Sequence, residues 1–273
     1  MGNVIIITGS GSGIGRTIAL RFAKAGYRVV INDIVKENGE KILAEIISQG
    51  GQGIFVPADV SNIEQVRNLF QTTLAEYGQV DVLVNNAGVP GGFSFITDMP
   101  DETWLKTISV HLTGTFFCIR EALKTMIKME TGRIINIASI AGLMGTVGSG
   151  EYGAAKAGII NLTKTCAKES GPFNITVNAI APGMVGTPTN LKLQKKRSQF
   201  IETAIEGTPT GCMTTPAQIS ETCFFLASKS ASNITGQVVT IDGGAEMSTN
   251  MDSFMAQHLI RRNKSASNNN HGK

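Results

Sequence analysis

Short apolar runs recur along this chain, and each is followed by a longer stretch in which apolar residues return every three or four positions. The runs are Asn3 to Thr8 (Asn-Val-Ile-Ile-Ile-Thr), Arg28 to Asp33, Ile54 to Pro57, Val80 to Asn85, Arg133 to Ala138, Ile175 to Ile180 and Gln237 to Ile241. They are rich in Val and Ile and too short for helices, so they predict buried strands. Between them, Ile18, Ala19, Phe22 and Ala23 share one helical face, and helical periodicity continues over 36–48, 62–77, 101–128, 152–169 and 216–227. Strands alternating with helices predict an α/β fold, a Rossmann-like doubly wound parallel sheet of about seven strands with helices on both faces and right-handed crossovers.

With 273 residues, 42% of them apolar and 16% charged, the chain can bury a full core. One domain over 1–244, carrying both nucleotide binding and catalysis, and a C-terminal extension over 245–273 are expected. A net charge of +3 without an aromatic-interleaved basic stripe argues against nucleic acid. Cys118, Cys166, Cys212 and Cys223 form no CxxC and no zinc-like spacing, so reduced thiols in a cytoplasmic protein and no metal are expected. The opening apolar run is too short to span a membrane and lacks the flanks of a signal peptide. Met1-Gly2 resembles a myristoylation start, but Ile6 stands where Ser or Thr is needed.

Three stretches carry candidate chemistry. Behind the first strand lies Thr8-Gly9-Ser10-Gly11-Ser12-Gly13-Ile14-Gly15, then a helix. Glycines let backbone approach a pyrophosphate, and helix N-terminal amides meet its charge. The second strand ends in Asp33, where a dinucleotide fold places the carboxylate that binds the adenosine ribose; the alternative is a cap for helix 36–48. Tyr152 and Lys156 are related as i and i+4 on one helix face, with Ser139 upstream. A free phenol titrates near about 10, so a neighbouring ammonium, joined by an oxidised nicotinamide, would have to favour the phenolate for proton exchange at neutral pH. Taken alone, the pair also fits a chance pair on a helix surface.

These stretches, with Asp59-Val60, Asn85-Asn86-Ala87-Gly88, Pro182-Gly183 and Asp242-Gly243-Gly244, follow in the order seen in the short-chain dehydrogenase/reductase family, which the chain resembles from residue 3 to about 244. The resemblance implies Tyr152 as general acid/base, Lys156 as the group that lowers its pKa and holds the nicotinamide ribose, and Ser139 as the group that orients the substrate oxygen. It further implies a cofactor site of Gly9, Ser12, Gly13, Ile14, Gly15, Asp33, Asp59, Val60, Asn86, Ala87, Gly88, Pro182, Gly183, Val185 and Thr187, together with Tyr152 and Lys156. Within it, Asp59 would meet adenine, Asn86 the adenosine side and Thr187 the nicotinamide carboxamide. Relatives that prefer NADP commonly carry a basic residue at the positions held here by Ser12 and Asp33, so NAD is expected over NADP. A homotetramer is implied, with helices 103–127 and 152–169 pairing across subunits.

The chain departs from the family at Val110-His111-Leu112-Thr113-Gly114, where an asparagine usually helps hold a water in the proton relay. Here His111 is a relay candidate able to donate, accept or carry a proton, or a packed helix histidine. Met184 to Thr215 is long for a connection and suggests a lid. Its Lys192, Lys195, Lys196 and Arg197 suit either a solvated helix face or an acidic partner such as acyl carrier protein or coenzyme A. Gly91, Phe93, Met144 and Val147 predict an apolar pocket rim. Met251, Phe254, Met255 and Leu259 suggest a short amphipathic helix, and 263–273 a disordered tail. The expected activity is NAD-linked interconversion of a small apolar secondary alcohol and ketone. The alternatives are a 3-oxoacyl thioester reductase, acting on acyl carrier protein or CoA substrates, and a dinucleotide-binding sensor or scaffold without turnover.

Overall fold

In the computed structural model, which describes residues 2–188, 190–191, 202–203 and 205–248, the strands are β1 (Val4–Ile7), β2 (Arg28–Ile31), β3 (Gln52–Phe55), β4 (Val82–Asn85), β5 (Gly132–Ile137), β6 (Ile175–Pro182) and β7 (Val238–Ile241). All pair in parallel, in the order β3-β2-β1-β4-β5-β6-β7. The order reverses between β1 and β4. At such a switch point the loops leaving the carboxyl ends of neighbouring strands diverge and open a crevice.

Helices cover both faces: α1 (Gly13–Lys24), α2 (Lys36–Ser48), α3 (Ile63–Tyr77), α4 (Asp101–Ile108), α5 (Gly114–Met129), α6 (Ala141–Met144), α7 (Gly150–Ser170) and α8 (Pro216–Ala227). Alternate strand residues divide the core. Val4, Ile6, Val30, Leu83 and Ile134 pack with Leu69 and Phe70 of α3 and Cys118 and Met126 of α5. Ile5, Ile7, Val29, Ile31 and Val84 pack with Phe22 of α1, Ile42 of α2 and Leu226 of α8. All four residues of β1 are buried, which is why that strand reads as an unbroken apolar run. Local signals set helix ends: the Asn62 side chain accepts from the Glu64 and Gln65 amides at the start of α3, and Thr215 and Gln218 form a capping box at the start of α8.

The sequence-based boundaries shift in several places. The third strand runs over Gln52–Phe55, and the fourth begins at Val82, just after Asp81, whose carboxylate accepts the Val4 amide at 2.6 Å. The predicted continuous helix over 101–128 is interrupted by a π-helical turn at Ser109–Thr113, which carries His111. The catalytic-region helix opens at Gly150, before Tyr152, and α6 is too short for any periodicity to reveal. Lys192, Lys195, Lys196, Arg197, Met251, Phe254, Met255, Leu259 and the 263–273 tail lie outside the described residues.

Candidate active site

Loops leaving β1, β2, β4, β5 and β6 converge at the carboxyl edge of the sheet. A polar chain through the core fixes β4, β5 and α7 there: Asn85 Nδ2 donates to Asn136 Oδ1 (2.8 Å), Asn136 Nδ2 to Thr163 Oγ1 (2.9 Å), and that hydroxyl to Ile159 O (2.8 Å). Asn85 and Asn136 are register partners on adjacent strands. Buried polar side chains paired in this way favour one alignment of the elements that carry them, although Asn85 Oδ1 meets no donor among the described residues.

A groove of about 580 Å³ follows the switch point and is lined by Gly9, Ser12, Gly13, Ile14, Asp33, Asp59, Val60, Asn86, Ala87, Gly88 and Thr187. It fits a dinucleotide on its own geometry. Ser12 makes no side-chain cap to α1, and no acidic residue stands in the first turn, so the helix amides and partial positive charge are left for an anion. Gly9 has φ +63°, and a Cβ there would come within 2.7 Å of Ala87 Cα, so only glycine lets the loop lie this close to β4. Asp33 sits at the groove's end, with Oδ2 accepting from the Gly11 amide and Oδ1 from the Val35 amide, each at 2.9 Å. It is not the helix cap, since the N-cap of α2 is Val35 and no side chain caps that end. The Asn86 amide nitrogen donates to the Thr8 and Gly9 carbonyls at 2.9 Å each, so that side chain holds the glycine loop against β4. Asp59 Oδ1 accepts from the Ser61 amide and hydroxyl. Pro182 and Gly183 lie further along, where Asp242 packs against the turn, and Val185 is buried beside Thr187.

The groove continues into a second cavity of about 450 Å³ that brings together Ser139, Tyr152, Lys156 and His111 with Gly88, Val89, Gly91, Pro182, Gly183, Val185 and Thr187. Tyr152 and Lys156 share a face of α7, and the ammonium lies 5.4 Å from the phenol ring centroid. Lys156 is 4% exposed, and its Nζ donates to Ile137 O at 2.7 Å. Burial pulls its pKa down to about 7. The depressed Tyr152 pKa expected from the lysine is not what this chain's own residues produce. Desolvation raises the phenol, and a hydrogen bond with Ser139 only partly opposes it. Tyr152 is therefore held protonated, as a proton donor.

His111, left between a relay member and a packed helix histidine, is buried in this cavity. Its pKa is lowered to about 3, first by burial and then by the Lys156 charge, so the imidazole stays neutral and shows no titration near neutrality. Nε2 lies 2.9 Å from Val89 O and 3.2 Å from Val89 N, and one nitrogen cannot serve both. The shorter contact to the carbonyl assigns the proton to Nε2 and leaves Nδ1 as an acceptor. Nδ1 is buried and meets no donor among the described residues. The ring stands edge-on to Tyr152, with centroids 5.3 Å apart.

Of the expected rim, Gly91 lines the cavity, while Phe93 and Val147 on nearby loops and Met144 at the end of α6 are 65%, 77% and 56% exposed apolar side chains. Phe95 and Ile96 extend it, and neither stands out in the sequence. Glu151 was also missed: it is fully buried, directly before Tyr152. A glutamate in a helix's first turn ordinarily reads as a solvated charge, and nothing local marks it otherwise. Among the described residues no group of three or more His, Cys, Asp or Glu could hold a metal, and no helix is long and apolar enough to cross a membrane. Cys118, Cys166 and Cys223 are buried free thiols, and Cys212 is an exposed one.

A switch-point groove that runs into a Ser-Tyr-Lys cavity defines an oxidoreductase that binds a nicotinamide dinucleotide. A family model described as enoyl-(acyl carrier protein) reductase matches residues 9–246, and the chain belongs to the short-chain dehydrogenase/reductase family. It is 41% identical over 247 residues to a 3-oxoacyl-[acyl-carrier-protein] reductase of Synechocystis sp., covering 89% of this chain and 97% of that one. A 3-oxoacyl-[acyl-carrier-protein] reductase of Thermotoga maritima is 39% identical, again over 89% of this chain and 97% of its own length. Among solved structures, a single-residue variant of actinorhodin polyketide ketoreductase with NADPH superposes with a TM-score of 0.85 at 33% identity, over 90% of this chain and 97% of the other.

Proposed function

We propose that the protein reduces the ketone of a 3-oxoacyl thioester, carried on acyl carrier protein or coenzyme A, to the 3-hydroxyacyl product, with NADH preferred over NADPH. The observation that carries this reading is the gathering of Ser139, Tyr152 and Lys156 in one cavity continuous with the dinucleotide groove. A protonated phenol is the form that donates to a developing alkoxide, which suits the reducing direction. The names of the Synechocystis and Thermotoga relatives favour the same substrate class over a simple secondary alcohol.

A reduced nicotinamide dinucleotide held along the groove by the glycine loop, Asp33 and Lys156 would supply the hydride. Tyr152 gives its proton to the carbonyl oxygen, and the Ser139 hydroxyl orients that oxygen. Lys156, with a pKa of about 7, can return a proton to the tyrosine at neutral pH. Neutral His111 contributes Nδ1 as an acceptor that positions a relay water, rather than carrying the proton itself. The cofactor preference rests on Asp33. It lines the groove with Ser12, Ile34, Val35 and Asn38, and among the described residues the groove's one lining cation is Lys106 of α4, so the preference rests on the carboxylate that a 2′-phosphate would meet. In this respect the chain would differ from the NADPH-bound ketoreductase. Trp104, Leu105 and Phe116, exposed apolar residues of α4 and α5, are consistent with a homotetramer built through those helices.

The test follows nicotinamide absorbance with acetoacetyl-CoA, acetoacetyl-carrier protein and a panel of unlinked ketones and secondary alcohols, using both cofactors. Thioester reduction should be at least about tenfold more efficient with NADH. Tyr152→Phe should lower kcat by at least about a hundredfold while leaving NADH affinity unchanged. Turnover confined to simple alcohols would return the function to a general alcohol dehydrogenase. Nucleotide binding without any turnover would favour a sensor.

A further inference from the structure

Glu151 is fully buried at the first turn of α7, yet it faces neither the dinucleotide groove nor the catalytic cavity. Oε1 accepts the Gly92 amide at 2.6 Å, and Oε2 has no hydrogen-bond partner among the described residues. Burying a carboxylate with half its acceptor capacity unmet is costly. A fold retains such a group where its one strong contact matters.

That contact joins the catalytic helix to the segment that follows Asn85-Asn86-Ala87-Gly88. The segment is held at three points: His111 Nε2 donates to Val89 O (2.9 Å), Gly92 N donates to Glu151 (2.6 Å), and Ser94 N donates to Gly148 O (3.1 Å). Between the last two lies Phe93, whose ring packs on Gly148 in the loop that carries Val147. The middle point is the only one of the three anchored on the helix that carries Tyr152 and Lys156. A Cβ at Gly91 would fall 3.1 Å from Glu151 Oε1 and 3.3 Å from Tyr152 Cβ, so this backbone lies directly against the residue pair.

We propose that Glu151 is a positioning residue that clamps the 89–94 segment to the first turn of α7 and so sets the distance between the apolar rim at Phe93 and the Tyr152 hydroxyl. It acts through the Gly92 amide and touches neither substrate nor cofactor. A charged acceptor gives a shorter and stronger bond than a neutral one, and a fixed rim is what converts apolar contact with a substrate into orientation of its carbonyl. The proposal rests on the ketoreductase reading above.

The test compares Glu151→Gln, Glu151→Asp and Glu151→Ala in the full chain, with 1-decalone as a bulky apolar ketone and acetoacetyl-CoA as a thioester with a short acyl group. NADH binding is measured by fluorescence, and folding by thermal melts. Gln keeps an acceptor within reach of Gly92. Asp keeps the charge but is one methylene too short, so it reports on the clamp even where Ala fails to fold. Asp and Ala should raise KM for 1-decalone by about tenfold or more. They should raise it less for acetoacetyl-CoA and leave the NADH Kd unchanged. Gln should restore most of the 1-decalone KM. Wild-type KM values in Asp, or KM and NADH Kd rising together in Asp and Ala without rescue by Gln, would overturn the clamp. Tyr152→Phe serves as the control: if it retains turnover the ketoreductase reading fails, whatever the Glu151 variants do.

Discussion

Replacing Lys156 with methionine should stabilise the protein at acid and neutral pH while destroying its activity. The ammonium is 4% exposed, donates to Ile137 O, and has its pKa pulled from 10.5 to about 7 by burial alone. At about 1.36 kcal/mol per pH unit, that displacement means the buried charge costs about 5 kcal/mol wherever it is fully protonated. Methionine keeps the aliphatic packing but leaves the Ile137 carbonyl without its donor, a loss of about 1–3 kcal/mol. Lys156→Met should therefore be about 2–4 kcal/mol more stable at pH 6, worth about 4 °C or more in Tm for a chain of this size. The sign of the pH dependence follows from the lowered pKa. Between about 7 and 10.5 the unfolded state binds more protons than the folded one, so wild-type stability gains with rising pH from this group. The gap between the two proteins should close by about 3 kcal/mol between pH 6 and pH 9. Urea melts of both proteins at several pH values and one protein concentration measure this. Parallel curves with a constant gap, or a methionine variant less stable at pH 6, would show that the lysine is not buried as a costly charge.

Three further outcomes follow from the site. Asp33→Ala should raise the NADPH to NADH ratio of kcat/KM by about tenfold or more, since a carboxylate at the ribose end is removed; an unchanged ratio would take Asp33 out of cofactor choice. His111→Asn should keep most of the activity and the wild-type pH–kcat profile, because the imidazole is already neutral with a pKa of about 3. If a limb near neutrality disappears in that variant, the histidine titrates in turnover and the neutral assignment is wrong. Gly88→Ala places a Cβ 2.3 Å from His111 Cε1 and should destabilise by about 1–3 kcal/mol. His111→Ala in the same chain should relieve much of that loss in thermal melts, and simple additivity of the two changes would refute the contact.

The order and type of the elements could be read from the chain because each depends on local pattern. An unbroken apolar run such as Val4–Ile7 can only be buried on both faces, and the returns of Ile18, Ala19 and Phe22 give α1 a single buried side. The glycine loop, Asp33, Ser139 and the Tyr152–Lys156 pair were readable for a similar reason: their chemistry depends on residue type at fixed spacing after a strand or along a helix. What sequence could not supply is anything set by environment across long separations. The π-helical turn at 109–113 has no local signature. It arises where α4, α5 and α7 pack, and it carries His111 into contact with Gly88 and Tyr152. The same packing reverses one electrostatic expectation. A lysine one turn from a tyrosine should depress the phenol, yet desolvation acts on both and wins, so the phenol rises and the lysine falls. Glu151 is the extreme case, an ordinary acidic residue in a helix's first turn that only the fold encloses, against an amide 59 positions away in the chain. Spacing along a chain encodes which groups share a face. Solvent exclusion depends on every element that closes over them, and it is decided only when those elements pack.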